Sequence, residues 1–397
     1  MFATALVGCG GLVGDDDHGA DEGEPQSCAS ISTPVGEGAG EQRLELVATR
    51  EQIPGIADQP TARGRSLGVL HAFDGRLQLG YGDYSDNTGP IAMPAWDPRL
   101  GAFVDMGVLP TEEVSFFHAA HGALYSPAID PDGHQESGGV YRLDCGAAAW
   151  SVQTPIPGAV HVYAVASQGE TLYASTGSVN GAPALLMASD DRGASWTELL
   201  RRESDPDRYS RFYFMAATPE LLFVSGRDYP NPGESFAWIR RGGRSGAFEA
   251  LDDPPDGSLV PVVLGDELVI ARFSGSPGIS DHLASYRVEG QAFVAHEPWP
   301  VPGSVAKLIT WAPQVGEQDQ PERLLVLMAR PDGGASVHRS ADLAAGPEGW
   351  SELVRLDALD GDEFVSMALV SNDLYLGTRE GSLWAVRELE SAPAGMD

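Results

Sequence analysis

A short strand-like marker recurs along the chain at a nearly constant interval, and this recurrence limits the possible folds more than any other feature. It reads Gly75–Leu79, Gly122–Ser126, Glu170–Ala174, Glu220–Val224, Asp266–Ile270, Glu322–Val326 and Asn372–Leu376. The leucines Leu77, Leu124, Leu172, Leu222, Leu268, Leu324 and Leu374 are 47, 48, 50, 46, 56 and 50 residues apart. An apolar strand precedes each marker by a tight turn, as in 114–120, 161–167 and 212–217. Two further strands follow, often ending near an aromatic residue such as Phe103, Trp150, Trp196, Phe248, Phe293 or Trp350. Four strands per repeat of this length is one blade of a propeller, so the expected fold is an all-β, seven-bladed β-propeller. The 48 glycines and 29 prolines supply the turns that such a chain needs.

The seventh repeat tests the count. It offers strands over 364–370, 374–378 and 382–387 and no fourth. Residues 43–48, ahead of the first repeat, alternate polar with apolar, so they are expected to pair as the missing outer strand, closing the ring and removing its open edges. The propeller body then spans 42–390, with a disordered tail over 391–397.

The N-terminus carries an address. Residues 2–8 are apolar or small and end in Leu6-Val7-Gly8-Cys9. Residues 10–40 are rich in Gly, Asp and Glu, with Asp15-Asp16-Asp17 and Asp21-Glu22-Gly23-Glu24. Such a segment cannot bury enough surface to offset its chain entropy and reads as a flexible acidic tether over 9–41. No Asp-x-Asp-x-Asp-Gly calcium loop occurs in it. The tetrapeptide resembles the lipobox of bacterial lipoproteins. That resemblance implies a signal peptide over 1–8, lipidation of Cys9, and an envelope-anchored protein whose one contact with the membrane is its lipid. The segment lacks a charged n-region and a full apolar h-region, which points to a start codon further upstream. With Cys9 lipidated, Cys28 and Cys145 are left to pair in an oxidising compartment or to stay free.

In the third repeat, Ser189-Asp190-Asp191-Arg192-Gly193-Ala194-Ser195-Trp196 fits the pattern Ser/Thr-x-Asp-x-Gly-x-Ser/Thr-Trp at every fixed position. This resembles the Asp-box, or BNR, repeat of sialidase-like propellers. The resemblance implies a structural turn in which Asp191 accepts hydrogen bonds, Gly193 takes a positive φ and Trp196 packs between sheets, with Ser189 and Ser195 completing the box. A degenerate copy lies at Ser340-Ala341-Asp342. Sialidases share an Arg-Ile-Pro motif, but here Gln52-Ile53-Pro54 has glutamine in place of the carboxylate-binding arginine. Arg63, Arg65, Arg227, Arg272 and Arg379 show no spacing that would rebuild the arginine cluster, so sialidase activity is not expected.

Charge narrows the partners. Acidic residues outnumber basic ones 57 to 25, and the net charge of -32 repels phosphate backbones, so nucleic acid is not an expected partner. Loops between second and third strands gather on one face of a propeller. Three of them are polar: Gly82–Pro90, Asp130–Glu136 and Arg227–Gly233. Ordinary turn chemistry explains each loop separately; together they make this face the expected binding face. The ligand-binding residues expected from it are Asp83, Tyr84, Asn87, Asp130, His161 and Arg227, with Tyr84 as a stacking surface and His161 at the start of an inner strand. His118, His121, His134 and Asp132 lie near them, but no two share a metal-ligand spacing. Satisfied structural histidines are the simpler reading, and no metal or cofactor is expected. No phosphate loop, zinc-binding helix or nucleophile elbow is present. The reading is a noncatalytic recognition or assembly propeller, expected as a monomer, with an envelope protein or glycan as its unidentified partner. The alternative is an extracellular glycoside hydrolase or lyase.

Overall fold

The computed structural model describes residues 44–389, apart from 132–137, 153, 160, 178–182, 205–206, 208, 230–234, 252–260, 265–266, 273–281, 290–291, 297–298, 301–306, 315–322, 341–342 and 388. The expected signal peptide, tether and tail, with Cys9 and Cys28, lie outside the described residues, as do Asp132, His134 and the Ala341-Asp342 of the degenerate box.

The described chain is almost entirely β. Strand β1 (Leu44–Ala48) comes first, then a single helical turn, α1 (Ala62–Arg65). The antiparallel sheet β2 (Val69–Phe73), β3 (Arg76–Gly80), β4 (Ile91–Asp97) and β5 (Ala102–Leu109) follows. Next come β6 (Thr111–Glu113), β7 (His118–Ala120), β8 (Ala123–Pro127), β9 (Ile129–Pro131), β10 (Val140–Asp144) and β11 (Ser151–Val152). Of these, β7, β8, β10 and β11 form a four-stranded sheet, and β6 pairs with β9 beside it.

Strands β12 (His161–Gln168), β13 (Thr171–Gly177), β14 (Ala184–Ser189) and β15 (Thr197–Arg202) make one four-stranded unit. Strands β16 (Tyr209–Ala217), β17 (Leu221–Tyr229), β18 (Ser235–Arg241) and β19 (Phe248–Ala250) make another, joined to the first where Gly177 pairs with Arg211. Strands β20 (Val262–Leu264), β21 (Glu267–Arg272), β22 (His282–Glu289), β23 (Ala292–Ala295) and β24 (Trp299–Pro300) form a five-stranded sheet, and β25 (Lys307–Gln314), β26 (Arg323–Ala329), β27 (Ala335–Ser340) and β28 (Trp350–Leu356) a four-stranded one. The last sheet is β29 (Phe364–Val370), β30 (Asp373–Thr378) and β31 (Leu383–Val386), with β1 as its fourth strand in antiparallel register, Leu44 opposite Val386 and Leu46 opposite Trp384. A strand from the start of the described chain thus completes the sheet at its end. Strand β29 also lies against β2, bringing the last sheet beside the first.

The local code explains these elements. Every marker leucine sits on the second strand of its sheet and none is more than 1% exposed. The turn before Leu77 has two central residues, Asp74 and Gly75, with φ of 52° and 69°. The turn before Leu124 has His121 and Gly122 at 52° and 70°. Positive φ at both central positions is the type I′ geometry whose twist matches that of the flanking strands. Aromatic residues near the outer strands then fill the space between sheets: Trp150 packs against the core shared by the first two sheets, and Trp196 against the core shared by the second sheet and β12–β14. One expected strand is shorter than its sequence suggests. Of residues 114–120 only His118–Ala120 pair as strand, because the Val114 amide donates back to Tyr81 in the first sheet.

The turn between β14 and β15 is built by side chains. The Ser195 amide donates to Asp191 Oδ1 at 2.8 Å, the Ser195 hydroxyl to Oδ2 at 2.6 Å, and the Ser189 hydroxyl to Oδ1 at 2.7 Å. Gly193, at φ 92°, donates its amide to the Ser189 hydroxyl at 2.7 Å. The hydrogen bonds from Ser195 and Ser189 hold the Asp191 carboxyl at about 2, well below its ordinary range.

Candidate functional site

Antiparallel register places a row of functional side chains across two joined sheets. His161 opens β12 opposite Gly177 of β13, Gly177 lies opposite Arg211 of β16, and Arg211 lies opposite Arg227 of β17. Directly opposed residues project to the same face, so His161, Arg211 and Arg227 share one face. Tyr209 and Tyr229, two residues further along and opposed to each other, share it as well. Glycine at 177 is what lets the strands meet, because a Cβ there would lie 2.7 Å from Arg211 Cγ.

The aromatic rings form a continuous group around Arg211. His161 stacks on Tyr163 with centroids 5.6 Å apart, and Tyr163 meets Tyr213 at 4.8 Å. Tyr209 and Tyr229 stack at 4.8 Å and 12°, and the Tyr213 and Tyr229 hydroxyls are hydrogen-bonded at 2.6 Å. The Arg211 guanidinium carbon lies 4.9, 5.6 and 5.8 Å from the centroids of Tyr209, Tyr229 and Tyr163, within cation–π range. Burial opposes the charge on Arg211, but the surrounding phenol groups hold its pKa above the ordinary value, so it stays a cation. The Tyr163 phenol is pushed the other way: burial raises its pKa strongly, and its hydroxyl is enclosed with no hydrogen-bond partner. Asp130 on β9, at φ 47°, brings its carboxylate against His161 Nδ1.

Arg211 and Arg227 are both half-buried, and among the described residues no carboxylate pairs with either. The Nε–H group of each is enclosed without an acceptor. The opposite face behaves conventionally: Asp228 pairs with Arg202 and accepts the Ser210 hydroxyl at 2.6 Å, and Arg202 lies 4.2 Å from the centroid of Phe236.

The loop between β3 and β4, residues 82–90, is arranged differently. Asp83, 2% exposed, accepts the Thr61 hydroxyl at 2.8 Å and the Ser85 amide at 3.0 Å, while its own amide donates to the Thr88 hydroxyl at 2.9 Å. Burial opposes its charge, but these hydrogen bonds and Arg63 hold its pKa below the ordinary value. Arg63 also reaches Glu113 at 3.3 Å and covers the Tyr84 ring at 4.3 Å. Burial raises the pKa of Glu113. Asn87 takes φ 50°, and with its amide assigned in the orientation that satisfies the Glu112 carboxylate, the nitrogen donates to both oxygens at 3.0 and 3.1 Å.

The structure therefore brings Asp130 to His161 and puts Arg227 on the same row, but turns Asp83, Tyr84 and Asn87 towards α1 and β6. Among the described residues no hydrogen bond, ion pair or ring contact joins those three to His161. The link is backbone: Gly82 bridges to Glu113 of β6, and β6 pairs with β9, which carries Asp130. Arg227, Asp228 and Tyr229 are strand residues of β17, not loop residues. Three of the other arginines do not converge with Arg227: Arg63 is engaged as above, Arg65 donates to the Gln59 carbonyl and Arg379 pairs with Glu363; the Arg272 side chain lies outside the described residues. The histidines separate as well, with His118 bonded to the Ser167 hydroxyl at 2.9 Å and His121 to the Gly169 carbonyl at 2.7 Å. Among the described residues no group of three or more His, Cys, Asp or Glu is placed to hold a metal ion. Sequence reading missed Arg211, Tyr163, Tyr209 and Tyr213. Their signal was the alternation Tyr209-x-Arg211-x-Tyr213, which puts cation and rings on one side of a strand where apolar residues are the norm.

No family model and no curated protein matches the sequence. Solved structures do resemble the fold. A chain of a mitotic checkpoint complex superposes with a TM-score of 0.53 at 13% identity, covering 90% of this chain and 98% of that one. A protein from Lactobacillus plantarum gives 0.48 at 15% identity over 76% of this chain and 88% of that one. A prolyl endopeptidase structure gives 0.49 at 12% identity over 87% of this chain, which spans about half, 51%, of that protein. At such identities a likeness is one of fold, and the first of these, with the sheets described above, makes this chain all-β and β-propeller-like.

Proposed function

We propose that the chain is a seven-bladed propeller of the Asp-box type, closed by β1 and anchored to a bacterial envelope through lipidated Cys9. Its function on this reading is recognition, not catalysis, and its ligand is a glycan taken up on the face where β12 and β16 begin. The observation that carries the reading is the group of tyrosine rings around Arg211, beside the His161–Asp130 pair. Tyrosine faces and hydroxyls suit a sugar, which offers C–H surface and hydroxyl groups together. The rival glycosidase reading requires two carboxyl groups roughly 5 to 9.5 Å apart across a bond to be cleaved. Among the described residues, Asp130 is the one carboxylate in contact with this group, and it is engaged by His161.

The test is a glycan array probed with the full chain, alongside an assay for released reducing ends. Retention of a saccharide, lost in Tyr229→Ala and His161→Ala at unchanged melting temperature, supports recognition. Turnover of a bound saccharide would move the protein to the hydrolase or lyase class.

A further inference from the structure

Two arginines that face the same way from opposed positions repel each other, and a folded chain ordinarily places a carboxylate between them. This chain has 57 acidic residues to 25 basic ones and uses them freely elsewhere. Arg202 has Asp228, Arg387 has both Glu45 and Asp373, and Arg99 and Arg76 share Asp97. Yet none of the described carboxylates reaches Arg211 or Arg227, which sit opposite each other with enclosed, acceptorless Nε–H groups. Asp130, the acid that reaches this row from β9, is engaged by His161.

From this pairing, and resting on the recognition reading above, we propose that Arg211 and Arg227 bind the phosphate of a phosphorylated sugar. Two cations that no described carboxylate neutralises call for a dianion, and a phosphate monoester carries close to two negative charges near neutral pH. A carboxylate would leave one of them uncompensated. Guanidinium groups match phosphate with paired N–H donors, and two side by side can each contribute such a fork. The sugar ring attached to the phosphate has Tyr209, Tyr229 and Tyr163 beside it, so the cationic and stacking halves of the site lie next to each other.

The experiment is titration calorimetry of the full chain with glucose 6-phosphate, inorganic phosphate, glucuronate and glucose. Glucose 6-phosphate should bind most tightly, and inorganic phosphate should compete with it more weakly. Arg227→Gln should weaken glucose 6-phosphate binding roughly ten- to hundredfold, the loss expected of a charge-assisted contact, without lowering the melting temperature. Arg227→Lys keeps the charge without the fork and should fall between. Equal binding of glucuronate would overturn the dianion, and equal binding of inorganic phosphate would overturn the sugar. So would an Arg227→Gln variant that binds as the parent does, or no binding by any probe. Glucose bound as well as its phosphate, and lost in Tyr229→Ala, would overturn this inference and leave glycan recognition standing.

Discussion

The loop after β3 and the row from β12 to β17 hold similar kinds of residue, but their polar groups end in opposite states. In the loop, Arg63 answers both Asp83 and Glu113, Asn87 answers Glu112, and the Thr61, Ser85 and Thr88 groups complete the set. In the row, the Nε–H groups of two half-buried arginines and the hydroxyl of Tyr163 are enclosed without a partner. A buried polar group that is satisfied stabilises the fold, whereas one left unsatisfied costs free energy that some other gain has to offset. Density of polar residues along the sequence is therefore a poor guide to a site. What distinguishes the two regions is whether the chain supplies its own partners.

The comparison is meaningful only on a closed scaffold, and the largest effect should come from opening it. Deleting residues 1–50 removes β1 and exposes the edge of β31, whereas deleting 1–41 leaves the pairing of Leu44 with Val386 in place. The longer deletion should aggregate on purification and the shorter one should melt cooperatively. Equal solubility and equal melting of the two truncations would mean that β1 contributes no necessary strand.

A smaller, directed effect separates the two regions. Asp83→Ala strands the Thr61 hydroxyl and the Ser85 amide and removes a partner of Arg63. Its cost should be about 1–3 kcal/mol, the usual penalty for unpairing buried polar groups. Denaturant midpoints would measure it, and the affinity for any ligand of the tyrosine row should be unchanged. A variant of full stability with lost affinity would return Asp83 to the binding surface and erase the contrast.

Acid should weaken the protein from about pH 6.5 downward, through its buried histidines. Burial lowers the pKa of His71 and His118 from 6.5 to about 4. Both are neutral in the folded protein but take up a proton in the unfolded chain below pH 6.5, so the stability tied to their neutral form is complete above 6.5 and lost as pH falls towards about 4. Asp97 and Asp191, held at about 2 against ordinary values of 3.8, lose their contribution only below that window. The melting temperature should decline between pH 6.5 and 4, and the slope should flatten in a His118→Asn variant. An unchanged slope would place the titrating group elsewhere.

Much of the fold was legible because it repeats. A leucine every 46 to 56 residues, a turn before it and an aromatic residue after it are each weak signals, but their agreement along the chain is not. The strands of the last sheet were readable to within a residue or two, as was the pairing of residues 43–48 with them. Cys145 was a candidate for a disulfide and is disulfide-bonded; its possible partners, Cys9 and Cys28, lie outside the described residues. The lipidation reading requires Cys28, which peptide mapping under non-reducing conditions would settle. The site was less legible. Asp130, His161 and Arg227 were expected from chain position, but the join of Gly177 to Arg211 is a pairing between neighbouring repeats. No periodicity within one repeat reveals it, so Arg211 and its tyrosines read as ordinary strand.

The smallest expected effect is also the most exacting for the row. Arg227 has no ion-pair partner among the described residues and lies opposite Arg211, so removing its charge relieves a repulsion and breaks no ion pair. Arg227→Gln should leave the unliganded protein as stable as the parent or slightly more so, by a few tenths of a kcal/mol to about 1 kcal/mol. Arg211→Gln differs, because that guanidinium contacts three tyrosine rings, and its loss should be destabilising. A double-mutant cycle isolates the pair: if the two cations repel, the coupling between them is unfavourable, and each substitution is better tolerated when the other cation is still present. A favourable coupling of similar size would mean that the arginines share an acceptor in the folded protein. The row would then be internally satisfied like the Asp83 loop, and the contrast between the two regions would disappear.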